Sequence, residues 1–251
     1  MGSSEFREIL LQSMRILESF TKDIFEKGNK QQVFDFYELG LNKTNIDYFD
    51  IWAQKWGSYG FCVPDNCESK IFSKPPKDDN ELRFIIDTYC NTEELLRLFN
   101  MLKEKDLNKK DLEDAIKLYE LEMYKPCVLL IYSLIDNVII SFQPIKKDKY
   151  RFLPNKAGER IIDGMLDKEW INYFYALNTK YALEEVYKKG KDFVNEDEYI
   201  ALNRQFVSHG MTKKIVNKYD CIVLFLLLYR CSIIFNKETP NNNGSKWYRY
   251  V

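Results

Sequence analysis

Apolar residues recur at three- and four-residue intervals along most of the chain, the period of α-helices with one buried face. Residues 5–27 carry Phe6, Ile9, Leu10, Met14, Leu17 and Phe20 on this rhythm, with Ser3 and Ser4 as caps and Gly28-Asn29 as the stop. Residues 45–56 place Tyr48, Phe49, Trp52 and Trp56 on a short aromatic-faced helix. Leu82, Ile85, Ile86 and Tyr89 make one stripe, and Leu95, Leu98, Phe99 and Leu102 a second after Thr92. Asp106 and Asn108 lead into a third, with Leu112, Ile116, Tyr119 and Met123. Pro126 opens a new helix, since proline suits the first helical turn. Residues 127–142 are so nearly all apolar that their helix must be buried, and Pro144 ends it. Further helices are predicted over 168–188, 195–204 and 212–235.

The breaks in this rhythm set the organisation. Residues 57–80 hold Gly57, Gly60, Pro64, Pro75, Pro76 and Asp78-Asp79-Asn80, which is loop chemistry and marks a boundary or an insertion. Residues 145–164 read as a polar connection and 237–251 as a mobile tail. The expected fold is all-α: a helical bundle over 111–236, with additional N-terminal helices in a region, 1–110, to which no role attaches. Only 10 Gly and 7 Pro in 251 residues agree with this, because turn-rich β folds need more.

Charge and apolar runs narrow the function classes. Lys and Arg total 37 against 38 Asp and Glu, which argues against coating nucleic acid by bulk electrostatics and leaves local basic patches. The longest apolar run, residues 221–229, is too short to span a bilayer. Residues 1–6 carry no apolar signal core, so a cytoplasmic protein with reduced cysteines and no membrane association is expected. Phosphate-binding glycine loops, dinucleotide-binding glycine motifs and the Gly-x-Ser-x-Gly nucleophile elbow are absent. The chain has 1 His, which excludes two-histidine metal sites within one copy. Cys62 and Cys67 lie in one loop, but a zinc site would need two more ligands. No cofactor is expected.

The segment that stands out is Leu202-Asn203-Arg204-Gln205-Phe206-Val207-Ser208-His209-Gly210. It holds the single histidine five residues after an arginine, directly before the last long apolar segment. These residue types suit RNA cleavage. A histidine exchanges the proton of a ribose 2′-OH near neutral pH. An arginine stabilises charge on five-coordinate phosphorus and holds phosphate through two hydrogen bonds. On a straight helix, however, five residues turn the chain by about 500°, leaving Arg204 and His209 about 140° apart. Leu202, Phe206 and His209 would then share one face, and His209 would be a core histidine on an apolar stripe. Convergence requires the helix to deform near residues 208–210, or a second subunit to bring its own copy.

Other polar features admit two readings each. Ser133, Asp136, Asn137 and Ser141 form a narrow stripe on the 127–142 helix. The stripe is either a solvent face or faces Arg204 and His209, with Asp136 orienting the arginine or acting on the histidine. Basic clusters at 146–151, 188–191 and 213–218 are either solvated faces or guides for a phosphate backbone. Lys213 and Lys214 are the best placed for RNA, four and five residues after the motif.

Asn203-Arg204-x-x-x-x-His209-Gly210, followed by a long apolar helix and preceded by a buried helix with a central acid, resembles the HEPN superfamily and in particular its abortive-infection type. The resemblance spans about residues 124–235. It implies an α-helical bundle and a metal-independent endoribonuclease acting as a homodimer, of the kind found in toxin–antitoxin and phage-defence systems. Carried over by position, Arg204 and His209 are the catalytic pair, with Asn203, Gln205 and Asp136 in support. Gln205 departs from the Asn, Asp or His that often follows the arginine. RNA is the implied partner, with an antitoxin or activating partner beside it, and the implied products are a 2′,3′-cyclic phosphate and a 5′-OH. Two rivals stand beside this reading. One is a non-catalytic HEPN-like module that binds RNA, nucleotide or protein. The other is a plain helical protein whose Arg-x-x-x-x-His is chance.

Overall fold

The computed structural model describes residues 43–142, 173–190, 193–194 and 200–235. Among them every regular element is a helix and no strand occurs. The elements are α1 (Lys43–Gly57), α2 (Ser69–Phe72), α3 (Asp79–Tyr89), α4 (Thr92–Lys103), α5 (Lys109–Glu120), α6 (Tyr124–Phe142), α7 (Tyr173–Val186), α8 (Arg204–Ser208) and α9 (Lys218–Ile234). The helix predicted over 5–27, the 145–164 connection, the start of the 168–188 helix, residues 195–199 and the 237–251 tail lie outside the described residues.

Short polar side chains start the early helices. Asp78 accepts from the backbone N–H groups of Asn80 and Glu81, and Asn91 from those of Glu93 and Glu94. Asn108 accepts from Asp111 N–H at the head of α5. Each helix then buries the stripe its periodicity marks: Leu82, Ile85 and Ile86 in α3; Leu95, Leu98, Phe99 and Leu102 in α4; Leu112, Ala115 and Ile116 in α5. The centre of the bundle is α9, buried on nearly every face, which packs on α3, α4, α6 and α7. By length and composition Tyr124–Ser141 of α6 is apolar enough to cross a bilayer, with a mean hydropathy of 1.3. In this fold it packs between α5 and α9.

Three predicted boundaries move. The third stripe was expected to run through Met123, but α5 stops at Glu120. Glu122 takes the left-handed conformation (φ 58°), and Met123 N–H reaches back to Leu118 C=O. This is a Schellman ending with glutamate where glycine is usual, so no glycine announced it. The helix predicted over 195–204 is not helical at 200–203, because Asn203 caps a new helix instead of continuing an old one. The last helix begins at Lys218 and not near 212, set by a capping box between Asn217 and Asp220.

The start of the irregular stretch, residues 60–64, is built into the core. Gly57 lets α1 approach α7 closely: a Cβ there would lie 2.3 Å from Tyr181 Cβ. Phe61, Cys62 and Val63 are fully buried, and their backbone groups are satisfied from far away. Asn178 Nδ2 donates to Phe61 C=O and its Oδ1 accepts from Val63 N–H, both at 2.9 Å. Arg230 Nη2 donates to Val63 C=O (2.8 Å) and to Asp65 Oδ1 (2.6 Å), with its guanidinium 3.6 Å from the centre of the Tyr175 ring. Burial pushes the Cys62 thiol up to about 12, against a smaller opposing pull from Arg230. All six cysteines are free, and among the described residues no three His, Cys, Asp or Glu side chains form a metal-holding group.

Candidate active site

The Arg204–His209 segment is a two-ended structure. At the front, Asn203 adopts extended backbone geometry and its Oδ1 accepts from the N–H groups of Gln205 (2.9 Å) and Phe206 (3.3 Å). At the back, Gly210 N–H reaches Val207 C=O and Met211 N–H reaches Phe206 C=O, with Gly210 at φ 70°. That is a Schellman ending, and glycine supplies the left-handed residue at no steric cost. The result is a helix of five residues fixed at both ends.

The apolar stripe is broken by these two caps. Leu202 and Phe206 are buried, but Leu202 precedes the helix and His209 is its C-cap. His209 is exposed, and among the described residues its ring meets Phe193 edge-on, with centroids 5.3 Å apart. It is therefore not a core histidine. Phe193, at φ 58°, stands between His209 and the buried ring of Phe206. His209 keeps nearly helical backbone angles (φ −93°, ψ 4°), so the C-cap does not swing it toward Arg204. The two motif side chains meet different partners, Asp136 for Arg204 and Phe193 for His209.

Arg204 meets the acid from α6. Its Nη2 donates to Asp136 Oδ2 at 2.6 Å, closing an ion pair between residues 68 apart in sequence. The second Asp136 oxygen accepts from the Tyr187 hydroxyl at 2.5 Å. The polar stripe on α6 thus splits: Ser133 and Asn137 face solvent, while Asp136 turns to the motif. Arg204 Nε is buried and has no hydrogen-bond partner among the described residues.

The remaining sequence candidates hold structure. Asn203 is buried, and its Nδ2 donates to Lys188 C=O at 2.8 Å. Gln205 Oε1 accepts from Gly190 N–H at 3.0 Å, so this side chain braces the segment that follows α7. Lys214 Nζ donates to Ile200 C=O (3.0 Å) and Ala201 C=O (3.5 Å), holding the segment before α8. Lys213 is exposed.

Three aromatic residues missed by sequence reasoning complete the site: Tyr187, Tyr132 and Phe193. The Tyr132 hydroxyl donates to Leu202 C=O, and its ring meets Tyr187 edge-on. Burial, then the charge of Asp136, pushes the Tyr187 phenol well above its ordinary value, and burial does the same to Tyr132. Both stay protonated and act as donors. Tyr187 directly precedes Lys188-Lys189, but no local spacing connects it with Asp136, 51 residues earlier. A cavity of about 60 Å³ lies behind the segment, lined by Tyr59, Arg83, Leu202, Tyr219 and Asp220 among others. Neither Arg204 nor His209 lines it. The chain matches no protein-family model, no curated protein and no solved structure.

Proposed function

We propose that the chain is a HEPN-type endoribonuclease that cleaves RNA by attack of the substrate's own 2′-OH, and serves as a toxin or phage-defence effector. The observation that carries this reading is the ion pair from Asp136 to Arg204 at one end of a capped helix whose other end exposes the single histidine. In this reaction the 2′-oxygen attacks phosphorus and the bond to the 5′-oxygen breaks. The 2′-OH proton leaves to a base, and a proton arrives on the departing 5′-oxygen. His209 is the base or acid, and Arg204 stabilises the charge gathering on the phosphoryl oxygens. The nucleophile comes from the substrate, so the reaction needs no metal. The test is to incubate RNA with the protein in EDTA and identify the product ends. Products ending in 2′,3′-cyclic phosphate and 5′-OH are expected, and no cleavage under any salt condition would overturn the reading. Binding without cleavage would instead favour the non-catalytic module, to which the engagement of Gln205 by Gly190 lends support.

A homodimer belongs to the same proposal. Each chain has 1 His, while base and acid act at opposite sides of the phosphorus, so two copies together supply both. The separate partners of Arg204 and His209, Asp136 and Phe193, favour the same arrangement. Val194, Ile200, Met211 and Ile215 stand exposed in the segments flanking α8, Ile215 at 90%. Light scattering should give twice the chain mass, and Ile215→Asp should yield monomers with lost cleavage. A wild-type monomer at high concentration would count against this assembly. Such an activity threatens the host's own RNA, so a neutralising or activating partner is part of the reading.

A further inference from the structure

The Asp136 carboxylate has both oxygens engaged, one by Arg204 Nη2 and the other by the Tyr187 hydroxyl. A carboxylate held at one oxygen only rotates over a broad torsional range, and a second charge-assisted bond fixes it. Arg204 depends on that fixed carboxylate, because Nη2 bonds Asp136 while its buried Nε finds no partner among the described residues. The Tyr187 ring is itself seated independently of its hydroxyl, edge-on to Tyr132 with centroids 6.3 Å apart. Two further bonds hold its segment in register with the motif: Asn203 Nδ2 to Lys188 C=O, and Gly190 N–H to Gln205 Oε1.

We infer that Tyr187 is a positioning residue for the ribonuclease proposed above: its hydroxyl locks the Asp136 carboxylate in the orientation that presents the Arg204 guanidinium to the scissile phosphate. The inference rests on that reading for its consequence in catalysis, but the Tyr187–Asp136–Arg204 linkage is testable by itself. Burial and the neighbouring Asp136 keep the phenol protonated, so Tyr187 serves as a hydrogen-bond donor and not as a base.

Tyr187→Phe keeps the ring and its contact with Tyr132 and removes the hydroxyl alone. We expect kcat to fall about tenfold, the scale of one hydrogen bond to a charged group, with KM changed less than about twofold. In an Asp136→Ala background, Tyr187→Phe should cost nothing further, since the carboxylate it acts through is gone. A merely structural role predicts multiplied losses in that cycle. A readout independent of cleavage is the ¹⁵N signal of Arg204 Nε–H, protected in the wild type and broadened or faster-exchanging in Tyr187→Phe. If Tyr187→Phe leaves the Arg204 signal unchanged, or cleaves at the wild-type rate, or multiplies with Asp136→Ala, the inference is overturned while the ribonuclease reading stands. If the wild type cleaves no RNA, the ribonuclease reading falls and the Arg204 signal alone decides the linkage.

Discussion

His209→Ala should abolish nearly all RNA cleavage and leave the melting temperature within about 2 °C of the parent protein. Removing a general acid or base typically costs ~10²–10⁴ in rate, and no other histidine exists to replace it. The stability half follows from exposure. His209 lies on the surface, its backbone N–H bonds Gln205 C=O whatever the side chain, and its ring meets Phe193 edge-on. Arg204→Ala should match it in activity but not in stability, because it strips Asp136 of its counter-charge. Measured per folded molecule, unchanged cleavage in His209→Ala would remove this histidine from the chemistry.

The largest effect on folding is expected at Arg230. Its side chain is 6% exposed and joins α9 to the 61–65 segment through Val63 C=O and Asp65, with the face of Tyr175 against its guanidinium. Arg230→Ala leaves Val63 C=O without this donor and a void against Tyr175, and should lower stability by about 3 kcal/mol. Asp65→Ala should cost only about 1 kcal/mol, because Asp65 is 48% exposed and water takes its place beside the guanidinium. Urea unfolding of both variants separates the two contributions. Equal losses would show that the ion pair, and not the stacking and the carbonyl contact, fastens this segment.

The helices were legible because their signals are local. Asp78, Asn91 and Asn108 cap where short polar residues favour capping, and the stripes behind them face the core. Asp136 was legible as a polar residue in an apolar helix, though its direction was not. What escaped depends on distant partners. Residues 57–80 look like a loop because the groups that satisfy them, Asn178 and Arg230, sit 115 and 167 residues from Val63. Asn203 carried a cap signal, but the surrounding helical pattern masked it. The Glu122 ending had no glycine to mark it. Tyr187 is an ordinary tyrosine at the end of a predicted helix until the fold sets its hydroxyl against Asp136.

The edge-on meeting of Phe193 and His209 gives the protein a built-in spectroscopic label. With 1 His in the chain, the imidazole C–H protons form a single pair of resonances that need no assignment by mutagenesis. Lying 5.3 Å from the Phe193 ring, they are displaced by its ring current, so their chemical shift records how the 193 segment lies against α8. A titration with oligonucleotide, followed on that one signal, reads occupancy at the histidine and movement of the neighbouring aromatic in the same spectrum.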